Sequence, residues 1–79
     1  MDKKLSVEET INLAEKIRVE LAVRRIKQAD LIQPLSIKGV ETATSVISLA
    51  VNGKGFQPRH QKLLLAIDEI LEGGFMNEQ

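Results

Sequence analysis

A chain of 79 residues and 8.8 kDa, with 11 basic and 11 acidic side chains and a pI near 6.6, allows one compact domain and excludes a polybasic protein that holds nucleic acid by bulk charge. Cysteine is absent, which removes disulfides, cysteine-ligated zinc and thiol nucleophiles together, and the lack of Trp and Tyr argues against a base-stacking platform for single strands. The opening residues MDKKLSVEET do not resemble a signal peptide, and no run approaches the ~18 apolar residues of a membrane span, so a cytoplasmic protein without membrane contact is expected.

Ser6 stands three residues before Glu9, the spacing of a capping box, in which each side chain satisfies the other's backbone donor. Ile11, Ala14, Ile17 and Leu21 then recur at helical spacing, flanked by Leu13 and Ala22, so the first helix is expected over 7–24. Val19 and Val23 fall off that stripe. A second helix is expected from Lys27 or Gln28, burying Leu31 and Leu35, and Pro34 should leave it short or broken there because proline lacks an N–H and clashes with the preceding turn. Residues 35–40 read as a loop, with Gly39 free to take a positive φ. Thr42 or Thr44 is the expected cap of a third helix over 43–51, with Val46, Ile47 and Ala50 inward and Asn52-Gly53 ending it. Pro58 should open a fourth helix, with Leu63, Leu64, Ile67, Ile70 and Leu71 as its apolar stripe and Gly73-Gly74 as its stop. The expected core is Ile17, Leu21, Leu31, Ile47, Val51, Leu64 and Ile67. Short loops and no alternating pattern predict an all-α bundle of four to five helices, over 1–74, with 75–79 as a tail.

The zero net charge conceals a gradient. Residues 24–62 hold Arg24, Arg25, Lys27, Lys38, Lys54, Arg59 and Lys62 against only Asp30 and Glu41. Residues 63–79 carry Asp68, Glu69, Glu72 and Glu78 without a base. A basic centre next to an acidic end is the local footprint of an anionic partner, although such a stretch also serves as a plain solvated face.

The order of these motifs resembles the helix-turn-helix domain of phage repressors and Cro-like regulators, the XRE family, over about residues 13 to 72. One carrier is Ile17-Arg18-Val19-Glu20-Leu21-Ala22-Val23-Arg24-Arg25-Ile26-Lys27-Gln28-Ala29-Asp30-Leu31, an Ile-Arg helix, a break, then Gln opening the next helix. The other is Ile47-Ser48-Leu49-Ala50-Val51-Asn52-Gly53-Lys54, similar to the end of a recognition helix, with Pro58 opening the helix that follows. The chain departs from the family in an elongated turn over 36–41, in Ile32 where Ala is usual, in Pro34 within helix two, and in Arg25 where a helix-ending Gly is common. Leu21 and Val51 occupy positions where many relatives bury an Arg–Glu pair, and exchanging both charges for apolar groups removes a desolvation cost. The resemblance implies a lambda-repressor-like fold and a sequence-specific transcriptional regulator of phage or mobile-element kind, placing helix three in the major groove of double-stranded DNA.

On that reading Thr44, Ser45, Ser48, Leu49 and Asn52 face the bases, where hydroxyls pair flexibly and Leu49 meets a thymine methyl. Gln28, Lys38, Lys54 and Arg59 are the phosphate candidates, since such contacts position the duplex without reading it. A homodimer is expected because one domain grips too little surface, with Leu65, Phe75 and Met76 as the candidate contact. No catalytic constellation is present: His60 is the only histidine, Asp68, Glu69 and Glu72 read as a solvated face, and Gly53-Lys54-Gly55 lacks phosphate-loop spacing. The expectation is therefore no enzyme, no cofactor and no metal. The alternative is a helix-turn-helix scaffold acting by protein–protein contact, such as an antirepressor bound to another regulator, for which Val19 and Val23 offer an apolar surface.

Overall fold

Each helix begins and ends where local chemistry permits, and the computed structural model, which describes residues 5–73, makes those rules explicit. Helix α1 (Val7–Arg24) starts at the Ser6 capping box, with Ser6 Oγ accepting from the Glu9 N–H and the Glu9 carboxylate accepting from the Ser6 N–H, both at 3.0 Å. It ends on Arg25 in the left-handed conformation, φ 58°. The Arg25 N–H donates to Ala22 O and the Ile26 N–H to Leu21 O, a Schellman end whose trailing residue, Ile26, is buried.

The expected second helix is in two parts, a 3-10 turn (Gln28–Leu31) followed by α2 (Ile32–Ile37). The helix is short, at six residues, but it does not break at Pro34. Pro34 sits in the first turn of α2, where a missing N–H removes no hydrogen bond the helix needs, so the break falls earlier, at Leu31–Ile32. Helix α2 also runs through three residues read as loop. Gly39, φ 88°, closes it with a second Schellman pattern: the Gly39 N–H donates to Ser36 O and the Val40 N–H to Leu35 O.

Helix α3 (Thr44–Val51) begins one residue later than expected, and neither threonine caps it. Ala43 occupies the cap position and has no side-chain oxygen, while Thr44 is already the first helical residue. Gly53, φ 73°, ends α3 in the same way, with the Gly53 N–H on Ala50 O and the Lys54 N–H on Leu49 O. Pro58 is the first residue of α4 (Pro58–Glu72), as its ring geometry favours.

The described residues thus form an all-α fold of four α-helices and one 3-10 turn, with no strand among them. All seven expected core residues are buried, joined by Ala14, Ile26, Leu35, Ala50, Leu63, Ala66 and Leu71. Each large aliphatic side chain removed from water contributes about 1.5–3 kcal/mol before entropy is counted. The inward stripe of α1 differs from expectation at its start. Thr10 is fully buried, returning its hydroxyl to Ser6 O at 2.8 Å, whereas Ile11 and Ala22 are exposed. The bonded threonine satisfies its own polar group, so it packs inward without the cost of a stranded hydroxyl.

Helix α4 is the spine, packing on α1, α2 and α3. It runs in the same sense as α1. The Gln61 amide bonds both backbone groups of Leu5, Lys16 meets Asp68 and Glu72, and the Arg24 guanidinium donates to Leu71 O at 2.9 Å. Helix α3 packs on α1, α4 and the 3-10 turn, so that short turn, more than α2, supports its inner face.

Candidate nucleic-acid interface

The inward positions of α3 are Ile47, Ala50 and Val51, which leaves Thr44, Ser45, Ser48, Leu49 and Asn52 on the outer side. Thr44, Ser45, Leu49 and Asn52 are exposed and Ser48 is half-buried. The Asn52 side-chain amide donates to Ser48 Oγ at 3.2 Å. Ser48 therefore keeps its own O–H free to donate, and Asn52 keeps its side-chain oxygen free to accept. The pair presents a donor and an acceptor one helical turn apart.

One side-chain anchor holds this helix. Arg18, projecting from α1, donates to Val51 O at 3.0 Å at the C-terminal end of α3, where a positive group also meets the negative end of the helix dipole. At the other end the side chain of Ala43 supplies no cap for the first backbone N–H groups of α3.

The basic residues divide into paired and unpaired sets. Lys16 bridges Asp68 and Glu72, and its pKa is raised above the ordinary lysine value first by the hydrogen bond to Asp68 and then by the one to Glu72. Arg24 pairs with Glu20, and Lys38 with Glu69 at 3.1 Å. Among the described residues, Arg25, Lys27, Lys54, Arg59 and Lys62 make no ion pair. Most of the acidic charge of α4 is therefore neutralised by Lys16 and Lys38, while unpaired cations flank α3. Lys54 lies just past its C-terminus, and Arg59 and Lys62 share a pocket with Val46 in its first turn.

Of the phosphate candidates, Lys54 and Arg59 are exposed and unpaired beside α3. Lys38 is committed to Glu69, and Gln28 is half-buried at the start of a four-residue turn. Lys62 was not singled out from sequence, although its position three residues after Arg59 on one helix puts both on the same face. Of the dimer candidates, Leu65 is half-buried, and Phe75 and Met76 lie outside the described residues. Val19 and Val23 stand exposed on α1, at 52% and 74%.

His60 takes no part in this surface. Its ring is buried, neither ring nitrogen has a hydrogen-bond partner, and it packs against Gly55. Among the described residues no group of three metal-ligating side chains comes together, and no helix is long and apolar enough to cross a membrane. Comparison with family models, with curated proteins and with solved structures finds no match for the chain.

Proposed function

We propose that the protein is a small sequence-specific DNA-binding regulator of repressor or Cro-like kind, which lays the outer side of α3 in the major groove. The observation that carries this reading is the placement of unpaired cations around an outward polar helix: Lys54 at one end of α3, Arg59 and Lys62 beside the other. Phosphate contacts supply most of the affinity of such proteins, and base edges supply the discrimination. The hydrogen-bonded Ser48–Asn52 pair offers the donor and acceptor that a base edge demands, and exposed Leu49 offers an apolar contact for a thymine methyl. On this reading α2 and α3 are the two helices of a helix-turn-helix whose turn, after the Gly39 end of α2, is extended.

Ser48→Ala tests the base-reading part. It should weaken binding to a selected site by about 1–3 kcal/mol at one or two base pairs, with random DNA bound as before. Equal losses on selected and random DNA overturn that assignment.

A second reading is favoured by one observation, the exposure of Val19 and Val23 one turn apart on α1, away from α3's packing face. Two apolar residues there suit a contact with another regulatory protein or a second copy of this chain. Val23→Lys should abolish such a contact while leaving DNA binding by α3 unchanged.

A further inference from the structure

A concavity lies between the turn after α2 and the first turns of α4, and has a volume of about 290 Å3. Its floor is apolar, made of Val40, Val46 and Leu63, with Leu63 buried and the two valines half-buried. Its rim carries Arg59 and Lys62, which belong to the same face of α4 and make no ion pair among the described residues. Glu41 stands on the same rim, so the charged lining amounts to one net positive charge.

We propose that this pocket binds a small organic monocarboxylate, its apolar body on Val40, Val46 and Leu63 and its carboxylate held by Arg59 and Lys62. The volume falls just below the usual range for small-molecule sites, about 300–1,000 Å3, which suits a medium-length chain or a single ring. An apolar floor with few convergent polar groups is the usual make-up of such sites, and a guanidinium matches a carboxylate through two parallel hydrogen bonds. Glu41 matters for the choice of ligand. A single net positive charge balances a monoanion, whereas a phosphate dianion would be left facing the Glu41 carboxylate.

The site stands independently of DNA binding, but the two meet at Arg59. A carboxylate on Arg59 withdraws a cation from the backbone of the duplex, so ligand and DNA weaken each other's binding by the same factor. On the DNA reading, the pocket is an effector site that releases the regulator.

The test is a titration of the full chain, without DNA, with sodium octanoate, following the methyl resonances of Val40, Val46 and Leu63. Octanamide, which keeps the apolar body and lacks the charge, and inorganic phosphate serve as comparison probes. The expected result is saturable shifts with octanoate, at least tenfold weaker binding of octanamide and phosphate, and at least a fivefold loss of octanoate affinity in Arg59→Gln and in Lys62→Gln. Both side chains are exposed, so neither variant threatens the fold. Octanamide or phosphate binding as tightly as octanoate, insensitivity to Lys62→Gln, or shifts centred on Val19 and Val23 instead would overturn the proposal. Competition is then read separately, as a loss of DNA affinity on adding octanoate. Octanoate binding without any DNA binding leaves the pocket intact and removes the regulator reading alone.

Discussion

Arg18 holds Val51: the guanidinium of the first helix donates to the last helical carbonyl of α3 at 3.0 Å. The bond ties the orientation of the outward α3 surface to α1. A hydrogen bond from a charged donor contributes about 1.5–3 kcal/mol where it is shielded, and Arg18 is solvent-exposed as a residue, so about 1 kcal/mol is expected here. Arg18→Ala should lower stability to urea by that amount and speed amide exchange at Asn52 and Gly53, the residues that follow the anchored carbonyl. An unchanged urea midpoint with unchanged exchange contradicts the anchoring role.

Gly55 and His60 form a close pair of another kind. A Cβ placed on Gly55 would lie 2.6 Å from Cγ of the buried imidazole, and the ring has no exposed space into which to swing. Gly55→Ala should therefore cost about 1–3 kcal/mol through overpacking. His60→Ala leaves a hole at the same place, so the added methyl should cost much less in that background. Denaturation of the two single variants and the double variant measures the coupling, and additive losses would show that the two sites do not meet.

Three helices end on a left-handed residue, but only two of those residues are glycine. Gly39 and Gly53 adopt positive φ without strain, while Arg25 does so with a Cβ, at φ 58°. Arg25→Gly should therefore stabilise the chain by about 0.5–1 kcal/mol, net of the extra freedom glycine gains when unfolded. Gly53→Ala has open space around the added atom yet should destabilise by about 1 kcal/mol, because the strain lies in the backbone. Thermal melts of both variants check the pair of opposite signs.

The residues that were legible in sequence are those whose signal is local. The Ser6–Glu9 box, the Pro58 start and the seven core positions all follow from spacing over one or two turns. That the second helix is short is legible from Pro34, but the place of its break is not, because Pro34 tells of a lost N–H only if its position in the helix is known, and a 3-10 turn shifts that position by four residues. Thr10 was passed over in favour of Ile11 because hydropathy ranks isoleucine first, while the hydroxyl's bond to Ser6 O is a matter of geometry. For the candidate interface, sequence supplied the cations but not their partners. That Lys38 is held by Glu69 and that Lys62 joins Arg59 depend on where α4 crosses the turn after α2, which no short window contains.

Leu21 and Val51 supply a test of how α1 meets α3. Both are buried, on helices that pack together. Leu21→Arg alone should cost about 3–5 kcal/mol, since it buries a charge without a partner, and should unfold most of the chain. Adding Val51→Glu should recover part of that loss by giving the buried guanidinium a charged partner. A stable, fully helical Leu21→Arg protein would place α1 elsewhere, and a double variant no better than the single would show that the two sites do not face each other.

The most direct test of DNA binding around α3 is the salt dependence of affinity for duplex DNA from around the protein's own gene, measured for the native chain and for Lys54→Ala. Each phosphate contact contributes a slope of about −0.9 in log affinity against log salt concentration. The native chain should bind with a steep negative slope, and Lys54→Ala should bind selected and random duplexes equally more weakly, its slope shallower by about 0.9. No binding by the native chain at low salt, or an identical slope for Lys54→Ala, would contradict the account.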